Sequence, residues 1–141
     1  TAAKGLLEEA RRRFDEAAAN LEACRFRAGL GSAMGLAQAA NRYLDKKAPW
    51  HAIESSREDA ATTLWVSLSV INCLKTAFYP FLPFSSERLH RMIGFDGSVQ
   101  EAGWHWDPDA VKAGQVLGNP EPLFEKLDEA VVVREAQHVG D

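Results

Sequence analysis

The residues best suited to chemistry lie in one short stretch, where two cations are followed by a rigid turn and a large aromatic ring. Lys46 and Lys47 come just before Pro49 and Trp50. An indole fixed beside cations can stack on an unpaired base while the ammonium groups approach phosphates, as single-stranded RNA recognition requires. A tryptophan after a proline can equally be a hydrophobic plug between helices. The residues alone leave both interpretations open.

No arrangement typical of catalysis accompanies this stretch. The chain lacks the glycine-rich phosphate loop, the dinucleotide fingerprint, the zinc-protease motif and the serine-hydrolase motif. The cysteines, Cys24 and Cys73, stand outside any zinc or disulfide spacing and are expected to be reduced thiols. The histidines are too scattered to form a ligand set: His51, His90, His105 and His138. We therefore expect no catalytic residue, no metal and no cofactor in this chain.

The periodicity of apolar residues predicts that the elements that must position Trp50 are helices. A first stripe of apolar residues at steps of three and four predicts a helix over residues 2–22: Leu7, Ala10, Phe14, Ala17 and Leu21. A second stripe predicts a helix over 25–47: Phe26, Leu30, Ala33, Ala37, Ala40 and Leu44. A third, broader set predicts a central helix over 56–79 that packs on two sides: Ala61, Leu64, Trp65, Leu68, Ile71, Cys73, Leu74 and Phe78. Glycines weaken the second helix and indicate close packing against a neighbour: Gly29, Gly31 and Gly35.

Proline, glycine and capping residues set the expected boundaries. Pro49 disfavours helix at Ala48, and Ser55 with Glu58 forms a capping-box pattern for the central helix. A shorter helix is expected over 85–93, then a loop-rich 95–122 with a short helix from about Pro108, and a closing helix within 123–137. Val131 to Val133 could instead form a short strand. The pair Trp104 and Trp106 is expected to cover the edge of a core rather than to stack on bases.

Length and charge place further bounds on the chain. Its 141 residues suit one domain, 1–141, and no apolar run approaches a membrane span, so a cytoplasmic protein is expected. The net charge of −4 argues against coating nucleic acid by bulk electrostatics, but residues 1–50 carry +3 and residues 51–141 carry −7. A polyanion should therefore meet the first half. Arg11, Arg12 and Arg13 are interpreted most simply as a solvated helix face.

Three motifs in order give the chain a family resemblance. They are Asn41, Arg42, Tyr43 with Ala48, Pro49, Trp50; then Tyr79, Pro80, Phe81, Leu82, Pro83, Phe84, Ser85; then Pro122, Leu123, Phe124, Glu125, Lys126, Leu127, Asp128. Together they resemble the anticodon-binding domain of methionyl-tRNA synthetases, over roughly residues 6–128. The resemblance implies an all-α helical bundle of the class I synthetase type.

The resemblance also implies a role for the residues of the first motif. Trp50 would stack on an anticodon base, most simply the first base of CAU, and Pro49 would orient it. Asn41 and Arg42 also match the motif, and they could either contact the RNA or stabilise the fold. The implied partners are the anticodon stem-loop of tRNA-Met and the catalytic domain of a parent enzyme that uses ATP and Mg²⁺ elsewhere; neither membrane nor DNA is expected.

Two alternatives remain open at this point. The domain type is shared by the synthetases for valine, isoleucine, leucine and cysteine, although the spacing from Asn41 to Trp50 argues against these. A helical interaction module that kept the fold and lost RNA binding would also suit a pI near 5.6. The catalytic motifs of the class I enzymes are absent from these 141 residues, and so is an upstream helix that supplies an Asn and an Arg to the family's anticodon pocket.

Overall fold

Amphipathic stripes and proline breaks divide the chain into helices of very different length. A computed structural model describes residues 1–137, and His138 with the rest of the 138–141 segment lies outside them. The elements are α1 (Ala2–Glu22), α2 (Phe26–Lys47), α3 (Pro49–Ser55), α4 (Arg57–Phe78), α5 (Pro83–Met92), α6 (Val99–Ala102), a 3-10 helix (Pro108–Ala110) and α7 (Glu129–Ala136). No strand occurs among the described residues, so the all-α fold class is confirmed and the strand alternative at Val131 is wrong. None of the helices within this range is long and apolar enough to cross a membrane.

The core forms where α1, α2 and α4 pack on one another. Its buried side chains are Leu6, Ala10, Phe14 and Ala17 from α1, Ala33, Leu36, Ala39, Ala40 and Tyr43 from α2, and Val66, Val70, Cys73 and Ala77 from α4. Many of these side chains are small, which brings the helix axes close together. α3 and α5 each pack against α4.

The buried faces of α2 and α4 are rotated from the predicted stripes. Phe26 and Leu30 of α2 are exposed, and on α4 the exposed residues include Leu64. α2 turns its small residues to α1, because Ala and Gly permit the closest approach there, and larger apolar residues are left outside. Trp65, expected to be buried, is 37% exposed and donates a hydrogen bond from Nε1 to the carbonyl oxygen of Val111 at 3.1 Å.

Two of the three glycines in α2 have a packing reason. A Cβ at Gly35 would lie 2.6 Å from Nη1 of Arg13, and a Cβ at Gly29 would lie 3.4 Å from the Leu21 side chain. Gly31 has no neighbour within 4 Å among the described atoms, so close packing does not explain it. Arg13 therefore lies against α2, while Arg11 and Arg12 form the expected solvated face with i,i+4 ion pairs.

Several predicted boundaries shift by a residue or more. The N-cap of α4 is Ser56, whose side chain accepts from the amide of Asp59, whereas Ser55 is the last residue of α3. The predicted 85–93 helix begins two residues earlier because Pro83 occupies its first turn, where a proline needs no amide partner. The loop-rich part contains α6 and a 3-10 helix at Pro108, and only Glu129–Ala136 of the closing segment is helical.

The aromatic pair of the loop-rich part covers the core, as expected. Trp104 and Trp106 lie with ring centroids 4.9 Å and 5.6 Å from that of Phe14. The guanidinium carbon of Arg11 lies 5.9 Å from the centroid of Trp106. Both tryptophans are partly buried against the core.

Candidate nucleic-acid interface

The candidate interface begins at the C-terminus of α2. Tyr43 is buried and fixes the last turns of this helix against the core. Lys46 and Lys47 follow in the last turn, where cations oppose the negative end of the helix dipole. Ala48 then ends α2 in the left-handed region, with φ 40° and ψ 62°, and its amide donates to the carbonyl of Leu44 at 2.7 Å. This sharp turn separates the cationic end of α2 from the helix that follows.

In the following helix, α3, Pro49 faces the protein interior and Trp50 faces the solvent. Pro49 is the first helical residue and is buried, while Trp50 is 56% exposed. Its ring centroid lies 6.3 Å from that of the exposed His51, in an edge-on arrangement. Because the indole has more than half of its surface in solvent, it is not a plug between helices of this chain.

The other sequence-predicted site residues also reach solvent. Asn41, Arg42, Lys46 and Lys47 are exposed. Within residues 1–137, neither lysine ammonium lies within 4.0 Å of a carboxylate, so both charges are available to a phosphate. The structure therefore brings all six predicted residues to one end of α2 and the start of α3, with Pro49 alone turned inward.

Arg42 has a partner that sequence reasoning missed. Its Nη2 lies 3.7 Å from Oε1 of Glu9 on α1, and the same oxygen lies 3.7 Å from Nε of Arg13. The pairing crosses from α1 to α2, so no local spacing rule could have found it. It links a candidate RNA-binding residue to the helix that packs beside it.

The short helix α3 is the other feature that was not predicted. Proline is common at the first position of a helix, so Pro49 was a usable signal for its start. The turn was expected to lead directly to the central helix. Its practical effect is that Trp50 stands on a helix of its own, braced by α4.

Two other cavities have a chemistry that does not suit RNA. A groove of about 410 Å³ between α2, α4 and α5 is lined almost wholly by apolar side chains, including Met34, Phe78 and Leu89. A smaller cavity of about 120 Å³ contains Lys75 and His90, both buried. Neither contains a residue of the candidate interface.

Comparison with known proteins agrees with the motifs. Residues 1–139 match the family model described as the anticodon binding domain of methionyl tRNA ligase. Methionine–tRNA ligases are similar in sequence: 38% identical in Roseiflexus sp. over 92% of this chain, 45% in Dehalococcoides mccartyi over 85%, and 42% in Chloroflexus aurantiacus over 82%.

The match covers only part of each relative. The aligned region is 26% of the Roseiflexus protein, 21% of the Dehalococcoides protein and 23% of the Chloroflexus protein. The chain thus spans about a quarter of the length of these relatives, and the family model accounts for nearly all of the chain itself. The chain belongs to the family of anticodon-binding domains of methionyl-tRNA ligases.

Proposed function

We propose that this chain binds the CAU anticodon of methionine tRNA for a larger methionine–tRNA ligase. In this proposal the Trp50 indole stacks on the first anticodon base, and Lys46 and Lys47 contact neighbouring phosphates. Asn41 and Arg42 border the same surface from the last turns of α2. The activation of methionine with ATP and Mg²⁺ is assigned to the part of the ligase outside this chain, in the cytoplasm.

The observation that carries the proposal is the exposure of Trp50 above a buried proline at a cationic helix end. A tryptophan with 56% of its surface exposed loses favourable burial unless something covers it. Here Pro49 is buried and fixes the start of α3, so the backbone that carries the ring is helical rather than part of a loop. A preorganised ring binds a base with less loss of conformational entropy.

The family match supports the same assignment independently of the geometry. Trp50 and Pro49 belong to the motif that carries the resemblance, and the family model is that of an anticodon-binding domain. The relatives are named as ligases for methionine, the amino acid whose tRNA carries CAU. The groups available at the site are an aromatic face and cations, which are the groups that single-stranded RNA binding uses.

The test is the affinity of the full-length ligase for a stem-loop with a CAU anticodon, measured for Trp50→Ala. Losing one stacked base should cost ~1–3 kcal/mol, or about 5- to 150-fold in Kd, with little change in melting temperature. Phe84→Ala is the matched control, because Phe84 is 85% exposed but lies on α5, away from the candidate interface. It should leave RNA binding unchanged.

A second comparison separates recognition from a structural role. Phe14→Ala removes a ring that is 2% exposed and should cost ~3–5 kcal/mol of folding stability. If Trp50→Ala lowers the melting temperature as much as Phe14→Ala and leaves the stem-loop affinity intact, the proposed role is wrong. Binding by the wild type that is equally strong for a loop with a different first anticodon base would contradict recognition of CAU.

A further inference from the structure

One carboxylate oxygen on α1 lies between two arginines. Glu9 Oε1 is 3.7 Å from Nη2 of Arg42 and 3.7 Å from Nε of Arg13. Glu9 is partly sheltered, with 34% of its side chain exposed, whereas 65% of the Arg42 side chain is exposed. The ion pair therefore joins a partly sheltered carboxylate on α1 to a solvent-facing arginine at the candidate interface.

The two arginines differ in what they need from this carboxylate. Arg13 lies against Gly35 of α2, and its Nε is buried and has no hydrogen-bond acceptor within the described part of the chain. A buried donor without an acceptor is unfavourable, so a closer carboxylate would stabilise Arg13. Arg42 has most of its guanidinium in water, where a single long contact contributes little.

We propose that Glu9 competes with RNA for Arg42: it holds Arg42 in the free protein and closes on Arg13 when an RNA phosphate takes Arg42. This proposal rests on the proposed function, because it requires RNA at this end of α2. A phosphate can bind both nitrogens of the guanidinium fork, and such bidentate contacts are stronger than one contact at 3.7 Å. The exchange leaves no ion without a partner, since Arg13 already lies at the same distance from the carboxylate.

The consequence is a built-in competitor for the first phosphate contact. In the free protein, a phosphate that binds Nη2 of Arg42 competes with Glu9 for this nitrogen. This lowers the affinity for any polyanion, but it does not affect a base stacked on Trp50. Glu9 thereby makes RNA binding depend more on the aromatic contact and less on charge alone.

The test is a double-mutant cycle in the full-length ligase with the CAU stem-loop at about 0.1 M salt. Glu9→Gln removes the competing charge, and the Kd should fall by about threefold, the size expected for an exposed ion pair. Glu8→Gln is the matched control. It makes the same change in net charge at the next residue of α1, and Glu8 pairs with Lys4 at 3.8 Å instead. It should give only the smaller general charge effect.

Arg42→Gln completes the cycle. In that background Glu9→Gln should improve binding no more than Glu8→Gln does, because the arginine for which Glu9 and RNA compete is no longer present. A merely structural role of Glu9 would lower the melting temperature in both backgrounds and would not create coupling to Arg42 in RNA affinity. The proposal is overturned if Glu9→Gln matches Glu8→Gln in the wild-type background, or if its advantage persists beside Arg42→Gln.

The outcome also separates this inference from the function on which it rests. If Trp50→Ala weakens binding but Glu9 shows no coupling to Arg42, only the role of Glu9 fails. If the coupling is present and Trp50→Ala has no effect, the stacking role fails and the role of Glu9 stands. A wild-type ligase that does not bind the stem-loop overturns both.

Discussion

At the scale of single residues, Lys75 is the side chain with the least usual surroundings. It is 4% exposed, and its Nζ lies 2.6 Å from Nδ1 of His90 and 4.2 Å from the centroid of Phe95. His90 Nε2 lies 3.0 Å from the carbonyl oxygen of Asp96, so this nitrogen donates and Nδ1 is left to accept from the ammonium. Burial lowers the pKa of Lys75 from 10.5 to about 8, with the charge of Glu87 opposing that shift.

Because Lys75 is buried, the stability of the fold should rise with pH, whereas a lysine in a salt bridge gives a stability that falls as pH rises. Because the folded-state pKa of about 8 is below the unfolded value, the charged lysine destabilises the fold fully below pH 8. The penalty shrinks as pH rises from 8 to 10.5, because over this range the folded state has lost the proton that the unfolded state still holds. Above pH 10.5 both states are neutral and the penalty is gone. Relative to Lys75→Met, the wild type should gain about 2–3 kcal/mol of unfolding free energy between pH 7 and pH 10.

Urea unfolding of both proteins at the two pH values measures this gain directly. Lys46→Met is the control, because Lys46 is exposed and its substitution should give no such pH-dependent difference. A constant difference between wild type and Lys75→Met across this range would show that the ammonium is solvated in the folded state.

At the scale of elements, the contact of α1 with α2 depends on small residues in α2. Gly35 admits the Arg13 side chain, whereas Gly31 faces open space. The two glycines lie one turn apart in the same helix, with the same intrinsic cost relative to alanine. Comparing substitutions at these two positions therefore separates the effect of packing from the effect of helix propensity.

The two substitutions by alanine should change stability by different amounts. Gly31→Ala should raise the free energy of unfolding by about 0.5–1 kcal/mol, because it gains helix propensity and meets nothing. Gly35→Ala should gain less than this, because the new Cβ would lie 2.6 Å from Nη1 of Arg13 and must displace the guanidinium. Thermal unfolding of the two variants beside wild type tests this. Equal stabilisation by both would mean that Arg13 moves away at no cost.

The long helices could be predicted from sequence because their stripes and breaks agree. Phe14 and Ala33 were predicted on the correct faces, and Pro49 gave the turn at Ala48. The rotation of α2 could not be predicted, since Phe26 and Leu30 are stronger apolar signals than the glycines and alanines that are buried instead. Burial there is decided by how closely α1 can approach, which is a tertiary effect.

The candidate interface divides in the same way. The positions of Lys46, Pro49 and Trp50 followed from local sequence, as did their separation by a turn. The ion pair between Glu9 and Arg42 joins residues 33 positions apart and depends on the register of α1 against α2. A single sequence contains no local signal for that register.

At the scale of the whole molecule, the last third of the chain is fastened along α5. Two hydrogen bonds hold the strap, residues 115–124, at the C-terminus of α5. The Gln115 side chain donates to the carbonyl oxygen of Ile93, and the amide of Gly118 donates to the carbonyl oxygen of Met92. The strap ends with Leu123 and Phe124 at the apolar groove, beside Leu82 and Ser85. Two of the family motifs, far apart in sequence, therefore meet around one short helix.

Arg88 is the residue that fastens the second half of this strap. It donates to Glu121 Oε1 from Nε at 3.1 Å and from Nη2 at 2.8 Å, and to the carbonyls of Pro122 and Leu123 at 3.1 Å each. Hydrogen bonds from a charged donor are each worth about 1.5–3 kcal/mol at most, and those to Glu121 are exposed. Their joint loss should release the strap without unfolding the core.

Arg88→Met should therefore loosen residues 119–124 while leaving the helices ordered, because methionine keeps part of the apolar stem and removes every donor. Backbone order parameters from NMR relaxation should fall below about 0.6 at Asn119, Glu121 and Leu123, from the ~0.85 of a rigid backbone. Gly118 should stay ordered, since its bond to Met92 does not involve Arg88. Arg57→Met, at the exposed start of α4, is the control and should change none of these values. Unchanged order at Leu123 in Arg88→Met would mean that the contact of Leu123 and Phe124 with the groove holds the strap by itself.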